Sequence, residues 1–473
     1  MTAETATGTG VAPHYGDSVT TVEPGGIERI PLAERHGSPT QLLWTWASPN
    51  LEFATVFVGV IAVLFFGLSF WQAVAALVLG NAVGGLTHGV LSAWGPRHGR
   101  PQMVLSRSAF GYWGNVLPAG LNSIMAGIGW FAVNSVSGAL ALAALTDLSA
   151  KLTLVVIVAA QLLVGFVGHN LVHAFERFAF PVLAVVFALG AVAVLAKSHP
   201  GAAGHGGGFA GFTLAFSAAF GYTAGWNPYA ADYSRYLDPG TSPRRVALFA
   251  GLGNFGATSV LMVVGAASVT VGAASTDNVT GDFTGVMPGW IGNLVLLGIA
   301  LGAVSANALN VYSGAMSFLA MGVRLPLAMR RAIVALAFGA VGLVLAWTAL
   351  DDAGHQYEAF LLVIAYWIAP WLGVVLVDRV LRTGTSIERL VEDPKYVNLA
   401  GPVAMVVGSV VSIWLFCSQE KYVGPVAKAN PGIGDLTPVV GFLLAAVLYV
   451  VLARALTPAA PAPAEGEPTV TLL

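Results

Sequence analysis

The stretch GYTAGWNPYAADYSRYL, from Gly221 to Leu237, decides how the rest of the chain is interpreted. It lies between an apolar run that ends at Phe220 and another that begins near residue 247, so by position it should belong to a membrane-spanning helix. It nevertheless contains two glycines, a proline, an asparagine, an aspartate and an arginine. Backbone groups without partners are costly in lipid, so such a stretch survives at membrane depth only where protein or a polar cavity surrounds it.

The composition indicates a polytopic membrane protein. Of the 473 residues, 56% are hydrophobic and 9% are charged, with a mean hydropathy of +0.77, whereas soluble proteins are about 25% charged. Apolar runs of about 20 residues, the length that crosses the hydrocarbon core, recur along the chain. They predict an all-α protein with twelve spans, at about 45–68, 70–92, 114–145, 152–170, 178–196, 210–231, 247–271, 290–320, 328–348, 357–377, 399–417 and 436–455.

The flanking segments are predicted to lie outside this single transmembrane domain, which covers residues 41–456. Residues 1–40 are polar and lack the apolar region of a secretory signal, so they are expected to form a cytoplasmic tail. Residues 457–473 are rich in Pro and Ala and are expected to be a disordered cytoplasmic tail. A single cysteine, Cys417, excludes an intramolecular disulfide and a cysteine metal cluster.

The positive charges predict the orientation of the chain. Lys151, Lys197, Lys421 and Lys428 fall on one side of the predicted spans, and the other seventeen of the 21 Lys and Arg residues fall on the opposite side. Because basic residues resist translocation, this split predicts a plasma-membrane protein with both termini in the cytoplasm. The net charge of −2 gives no indication of a nucleic-acid partner. The predicted environment of the chain is the lipid bilayer.

Two interrupted spans point to a binding site. The first span contains Pro49 and Glu52 within WASPNLE, and the sixth contains Gly225 and Pro228. These spans occupy corresponding positions if helices 1–5 and 6–10 form two repeats, and paired interruptions of this kind indicate the midplane site of a transporter. The alternative for each is a plain proline kink, which the correspondence disfavours.

Five polar or aromatic residues suggest what such a site would hold: Trp130, Asn134, Trp226, Asn310 and Ser48. Indole faces can sandwich a flat ring, at about 1–3 kcal/mol per stacked base, and carboxamides pair with an amide or amidine edge. The Arg and Lys residues all fall near membrane boundaries, which disfavours an anionic ligand. The predicted ligand is a neutral, planar, hydrogen-bonding heterocycle. Neighbouring Ser and Gly positions such as Ser137, Ser313 and Gly314 fit interhelical packing, to which small and polar residues commonly contribute. Asn307 lies on the same polar stripe as Asn310, at i, i+3 spacing.

Several motifs resemble the nucleobase-cation symporter family 1, and specifically its purine-cytosine permease branch. They are WASPN in span one, GWFAVN in span three, GHNLVHAFERFAFPVL before span five, GWNPYAADYSRYL in span six and NVYSGAMS in span eight. The likeness extends from about residue 30 to 455. It implies the leucine-transporter fold, with two inverted five-helix repeats (helices 1–5 and 6–10), two C-terminal helices, and discontinuous helices 1 and 6.

The resemblance also implies roles for individual residues. The stacking tryptophan of helix three falls on Trp130 and its amide partner on Asn134, while the helix-eight asparagine falls on Asn310 and the polar residue of the helix-one break on Ser48. The helix-six aromatic falls on Trp226, with Phe220 or Tyr222 as alternatives, and Gly221 is counted with them. The implied function is symport of a nucleobase such as cytosine, adenine, hypoxanthine or guanine. The alternative is another neutral heterocycle of the family, such as allantoin, a hydantoin, uracil or vitamin B6.

The coupling ion is expected to be a proton, with sodium as the alternative. Family members with a sodium site use helix-one carbonyls and two hydroxyl residues of helix eight, which here fall on Ser305 and Val304. One hydroxyl is therefore missing, which favours the proton. Glu52 is the predicted carrier, because an intramembrane carboxyl is costly and functional by default. The alternative is a structural carboxyl paired with a polar neighbour.

Two charged groups are assigned away from the ligand. Asp232 and Arg235 are expected to pair with each other or with the following loop, as gate or structural residues. A stripe before span five contains His169, His173, Glu176 and Arg177, and its HxxxH spacing is compatible with a metal. We predict no metal there, because this charged stripe falls on a cytoplasmic boundary and no further ligand is in view. We expect neither a cofactor nor enzymatic activity, since a membrane-embedded enzyme would need a nucleophile, a metal cluster or paired acids. A channel or a non-transporting receptor is a further alternative.

Overall fold

The computed structural model describes residues 26–167, 169–202, 204–272, 279–323, 330–350, 353–457, 463–464 and 467–471. Helices dominate these residues. The strands are β1 (Ser418–Gln419) and β2 (Tyr422–Val423), which form an antiparallel hairpin.

The first half of the chain forms ten α-helices, several of them short. They are α1 (Gln41–Ala47), α2 (Phe53–Leu64), α3 (Phe70–Ser92), α4 (Gly95–His98), α5 (Gln102–Leu105), α6 (Arg107–Phe110), α7 (Val116–Ile124), α8 (Phe131–Thr146), α9 (Ala150–Val167) and α10 (His169–Leu195). Short 3-10 turns cover Leu32–Glu34 and Ser48–Asn50, and a π-helical turn, Met125–Trp130, joins α7 to α8.

The second half contains the remaining helices. They are α11 (Gly208–Ala224), α12 (Ala230–Ser234), α13 (Pro243–Val271), α14 (Val279–Gly285), α15 (Gly289–Ala320), α16 (Arg330–Ala349), α17 (Ala353–Leu381), α18 (Glu388–Glu392), α19 (Ala400–Phe416), α20 (Pro425–Ala429) and α21 (Thr437–Leu456). The 3-10 turns of this half are Asn227–Tyr229 and Pro431–Ile433.

Every predicted span coincides with a helix or with a broken series of helices. By length and apolar composition, seven described helices could cross a membrane, or eight if α1 and α2 together form one span. Three shorter apolar helices, within α9, α16 and α19, fall below that length. The multi-pass character of the chain follows, while the number of twelve spans stays a prediction.

The first and sixth spans are interrupted as predicted. The axis bends by 59° between Gln41–Asn50 and Phe53–Leu64, and the backbone of Glu52 is extended at the bend. In the sixth span, α11 ends at Ala224 and the 3-10 turn Asn227–Tyr229 separates it from α12. The third span has a π-helical turn, a local distortion that is frequent at functional sites.

The helices pack into two bodies. The first body consists of α1, α2, α3, α11 and α13, and the second consists of α7, α8, α9, α15 and α16. The long helix α10 contacts both, since it packs against α1 and α13 as well as against α9 and α15. A further layer of α17, α19 and α21 lies beside α11.

The end of the chain contacts the helices. The Val470 amide donates to the Thr385 carbonyl at 2.8 Å, and the Gly384 amide donates to the Val470 carbonyl at 2.9 Å. The Val470 side chain is buried. Of the segment 457–473 that was expected to be disordered, residues 467–471 are therefore docked on the protein.

Glycines allow the main chains of α2 and α13 to touch. A Cβ atom at Gly265 would lie 1.8 Å from the Val56 carbonyl oxygen, and a Cβ atom at Gly59 would lie 1.8 Å from the Met262 carbonyl oxygen. A side chain at either position would force these helices apart. The first body therefore depends on the absence of side chains at this crossing.

We expect Gly265→Ala to lower the melting temperature of the purified protein, because overpacking costs about 1–3 kcal/mol. Gly256→Ala is the matched control on the same helix, since no atom lies within 4 Å of a Cβ there. Thermal unfolding in detergent, followed by size-exclusion chromatography, measures both variants. Equal melting temperatures for the two would show that the crossing is not tightly packed.

Candidate functional site

The predicted site residues lie inside the protein, at the level where the two interrupted spans meet α8 and α15. Trp130 and Trp226 are each 7% exposed, and Asn134 and Asn310 are each 1% exposed. Ser48 is fully buried at the break of the first span. The structure therefore brings together side chains that are up to 262 positions apart in the sequence, from Ser48 to Asn310.

Three carboxamides form a continuous cluster between α8 and α15. The Asn134 Nδ2 atom donates to Asn307 Oδ1 at 3.0 Å, and the Asn310 Nδ2 atom donates to the same oxygen at 3.2 Å. The Asn307 Nδ2 atom in turn donates to the Phe131 carbonyl at 2.9 Å. The sequence analysis gave Asn307 no site role of its own; its position three residues before Asn310 on the same polar stripe is the signal for a shared role.

The cluster retains unused hydrogen-bonding capacity. Asn134 Oδ1 is buried and has no partner among the described residues, and Asn310 Oδ1 accepts only a long bond, 3.4 Å, from the Tyr229 hydroxyl. Each carboxamide can form up to four hydrogen bonds. Donors and acceptors are thus left over for a ligand with an amide-like edge.

An aromatic wall adjoins the carboxamides. The Trp130 ring meets Tyr222 edge-on at a centroid distance of 5.2 Å, and it meets Phe360 in the same manner at 5.2 Å. The Trp130 Nε1 atom also approaches Gly225 at the sixth-span break, where it would lie 3.5 Å from an added Cβ atom. Tyr222, an alternative for the helix-six aromatic, therefore faces Trp130 directly.

Trp226 is fixed by the break of the first span. Its Nε1 atom donates to Asn50 Oδ1 at 2.9 Å, and its ring packs edge-on against Trp46 and Tyr229 at 5.9 and 5.6 Å. The two breaks are thereby bonded to each other. Because its N–H group is already engaged, Trp226 can offer a ligand mainly its ring.

Two other predicted residues lie elsewhere. Phe220 stacks on Phe216 at 6.4 Å and lines an apolar groove with Thr87 and Phe442, away from the carboxamides. A Cβ atom at Gly221 would lie 2.5 Å from the Leu361 carbonyl oxygen, so this glycine faces α17. The structure does not bring either residue to the cluster.

Glu52 lies at the first break, as an interior carboxyl. Its Oε1 atom accepts from the Tyr222 hydroxyl at 3.0 Å, while Oε2 is buried without a partner among the described residues. The same Tyr222 hydroxyl is 2.5 Å from the Thr55 hydroxyl. Gly302 allows α15 to pack against this break, because a Cβ atom there would lie 2.6 Å from the Leu51 carbonyl oxygen.

A second interior carboxyl, Glu176, was missed by the sequence-based assignment. The Ser305 hydroxyl donates to Glu176 Oε2 at 2.7 Å and lies 3.3 Å from the Ser48 hydroxyl. The fifth span was predicted to begin at residue 178, which left Glu176 at the membrane boundary. The helix in fact begins at His169, so Glu176 lies two turns inside it and is fully buried.

The charged pair of the sixth span has other partners than expected. Asp232 Oδ1 accepts from the backbone amide of Gln102 at 2.8 Å, and Arg235 donates to the Gly26 carbonyl at 2.8 Å and to the Tyr312 hydroxyl at 3.0 Å. Asp232 also lies near enough to Arg235 for the two charges to attract each other. These bonds tie the end of the sixth span to the segment before α1, to the start of α5 and to α15.

Metal ligation has no support in the described residues, where no group of three His, Cys, Asp or Glu side chains could hold an ion. The side chains of His169 and His173 lie outside the part of the structure that is described.

A cavity of about 190 Å³ lies next to the aromatic wall. It is formed by α2, α8, α16 and α17, and its lining includes Phe53, Ser137, Gln356, Tyr357 and Phe360. Tyr357 and Phe360 both contact Trp130. The cavity is lined by α2, the second half of the first span. Trp46 of α1, the first half, packs instead into a separate buried cluster with Trp226, Tyr229, Tyr233 and Tyr312.

Comparison with known proteins identifies relatives along nearly the whole chain. Residues 29–441 match a family described as permeases for cytosine/purines, uracil, thiamine and allantoin. The purine-cytosine permease fcyB of Emericella nidulans is 30% identical over 453 residues, which cover 91% of this chain and 88% of that protein. The vitamin B6 transporter TPN1 of Saccharomyces cerevisiae is 28% identical over 323 residues, which cover 63% and 55%.

A solved structure shares the fold. It is that of Mhp1, a nucleobase-cation-symport-1 family transporter in a closed conformation with bromovinylhydantoin bound. The TM-score is 0.74 at 20% identity, with 93% of this chain and 97% of that chain covered. The leucine-transporter fold that the motifs implied is confirmed.

We expect Asn307→Ala to destabilise the protein more than Asn122→Ala. Loss of Asn307 removes the partner of Asn134, Asn310 and the Phe131 carbonyl, and each buried group left unpaired costs about 1–3 kcal/mol. Asn122 is the matched control, since it lies between the same pair of spans and donates a single bond, to Ser317. A smaller drop in melting temperature for Asn307→Ala would contradict the central position of this residue.

Proposed function

Because the chain belongs to the family of permeases for cytosine/purines, uracil, thiamine and allantoin, we propose that it is a symporter that imports a nucleobase together with protons. The substrates we favour are cytosine, adenine, hypoxanthine and guanine. This would place the chain in the plasma membrane as a multi-pass protein with both termini in the cytoplasm.

One observation carries the choice of substrate: the buried carboxamide cluster beside Trp130. Its members leave amide donors and the unpaired Asn134 Oδ1 atom for a ligand, which matches the alternating donors and acceptors on the edge of a nucleobase. The neighbouring rings of Trp130 and Tyr222 supply a face on which a flat base can stack. A site that hydrogen-bonds its ligand in this way also rejects analogues that leave its polar groups unpaired.

The geometry supports alternating access around this site. The substrate residues come from both bodies, since Trp226 belongs to an interrupted span beside the first body, and Trp130, Asn134 and Asn310 belong to the second. Rocking of one body against the other would open the site to either side in turn. The cavity lined by α2 and the separate buried cluster that contains Trp46 of α1 support entry from outside the cell.

The coupling ion is proposed from the residues at the first break. Ser305 is the one hydroxyl of the two expected at a sodium site, because the other position is Val304. A proton requires only a buried carboxyl, and Glu52 is the carrier that the sequence predicts. Sodium coupling remains the second candidate, and uptake driven by a sodium gradient would favour it.

A second class of substrate comes from the relatives. The similarity to a vitamin B6 transporter and the fold shared with a hydantoin-bound transporter favour another neutral heterocycle as the alternative. Pyridoxine, allantoin and hydantoins are also flat or nearly flat and carry hydrogen-bonding edges. The carboxamide cluster could bind them through the same atoms.

We expect vesicles that contain the purified protein to accumulate labelled cytosine or hypoxanthine when the lumen is alkaline, and to lose that accumulation with a protonophore. Pyridoxine, allantoin and uracil in the same assay test the alternative. A carrier saturates and supports counterflow, whereas a channel does neither. Absence of uptake and of a thermal shift with every nucleobase would rule out the proposed substrates.

We expect Trp130→Ala and Asn310→Ala each to abolish nucleobase binding without unfolding the protein. Loss of the stacking face removes about 1–3 kcal/mol per base, and loss of a carboxamide leaves the base edge unpaired. Trp290→Ala is the control, since Trp290 lies on the same helix as Asn310 and is 61% exposed. Isothermal calorimetry measures affinity, and wild-type affinity in either site variant would remove that residue from the site.

A further inference from the structure

The carboxyl of Glu176 lies where three separate elements meet. It comes from α10, it accepts the Ser305 hydroxyl of α15 at 2.7 Å, and the Ser48 hydroxyl of the first-span break is a further hydrogen-bonding partner. The two hydroxyls are themselves 3.3 Å apart. Its second oxygen, Oε1, is buried and has no partner among the described residues.

Among the described residues, no basic group is bonded to this carboxyl. Four ionisable residues belong to the elements that pack against α10: Lys151 of α9, Arg244 and Arg245 of α13, and Tyr312 of α15. The lysine and the two arginines are exposed, and Tyr312 bonds to Arg235.

The Tyr233 phenol is near enough to interact electrostatically with Glu176. On α10 itself, Arg177 is exposed. An ionised carboxyl with two hydroxyl partners and no cation is costly inside a protein, so the group favours taking up a proton.

The two interior carboxyls differ in what they connect. Glu52 bonds to Tyr222 of α11, which belongs to the first body, as α2 does. Glu176 bonds to Ser305 of the second body and lies beside Ser48 at the end of α1, while α10 itself packs against both bodies. A change of charge on Glu176 therefore acts on the contact between Ser48 and Ser305, which joins the two bodies and must change when they move.

We propose that Glu176 carries the coupling proton of this transporter. One proton from the outer solution binds the Glu176 carboxylate, the neutral carboxyl stabilises the substrate-binding arrangement of Ser48 and Ser305, and the same proton leaves to the cytoplasm after the substrate is released. No other reactant is needed. The assignment rests on the proposed function, and it moves the proton from Glu52 to Glu176, a residue of the motif before span five to which the resemblance assigned no role.

The test uses Glu176→Gln, a neutral residue of nearly the same shape, and compares it with Glu52→Gln, which removes the alternative carrier that the sequence predicts. In proteoliposomes with a trapped pH dye, the wild type acidifies the lumen when cytosine is added. We expect Glu176→Gln to lose this proton uptake and to lose accumulation above equilibrium, while it retains cytosine counterflow. Glu52→Gln should still acidify the lumen.

The dependence of binding on pH gives a second readout. If one proton must bind before the substrate, the wild-type dissociation constant for cytosine rises by up to about tenfold per pH unit at high pH. The dissociation constant of Glu176→Gln should stay constant across the same range. A stepwise dependence that disappears in Glu52→Gln instead would assign the proton to Glu52 and overturn the proposal.

Other outcomes are equally decisive. Proton uptake by Glu176→Gln, or uptake by the wild type that follows a sodium gradient without acidification, would refute the role of Glu176. Wild-type vesicles that transport no nucleobase would refute the proposed function instead, which separates the two failures. If Glu176→Gln does not fold, Glu176→Asp takes its place, and the infrared band of the protonated carboxyl is compared with that of the wild type. This band should shift in Glu176→Asp and should not shift in Glu52→Asp. An unshifted band in Glu176→Asp overturns the assignment.

Discussion

The main chain of residues 48–52 leaves the helix inside the membrane domain, and its polar groups must find partners within the protein because lipid offers none. Asn50 forms most of the hydrogen bonds that stabilise this break. Its Nδ2 atom donates to the Trp46 carbonyl and to Asn254, its Oδ1 atom accepts from Trp226, and its carbonyl accepts from Thr55. The break is thus held as a defined structure and joined to the other interrupted span.

The same constraint explains why the site can discriminate among ligands. Buried polar side chains without partners gain free energy when a complementary ligand pairs with them, and an analogue that leaves them unpaired binds less tightly. The cluster of Asn134, Asn307 and Asn310 is held by mutual hydrogen bonds, so it is preorganised before a ligand binds. Its rigidity reduces the entropy that binding would otherwise cost.

The interior carboxyls show how charge and motion can be linked. Glu52 and Glu176 both lie at the break of the first span, yet one bonds within the first body and the other bridges towards the second. A proton bound at a bridge changes the free energy of the contact between the bodies. Glu52 also packs against Gly302 of α15, but its carboxyl bonds to Tyr222 within the first body. We therefore expect its charge to act less directly on the contact between the bodies, which is the physical basis for separating their roles.

The sequence by itself determined the membrane class, the positions of the helices, the two interruptions and the family, because apolar length, proline and glycine act locally and the motifs are contiguous. It also singled out Trp130, Asn134, Trp226 and Asn310. Only the tertiary structure placed Asn307 at the centre of the carboxamides, turned Phe220 away and carried Glu176 into the core. These depend on helix rotation and on the true start of α10, which side-chain packing between distant segments decides and no local pattern records.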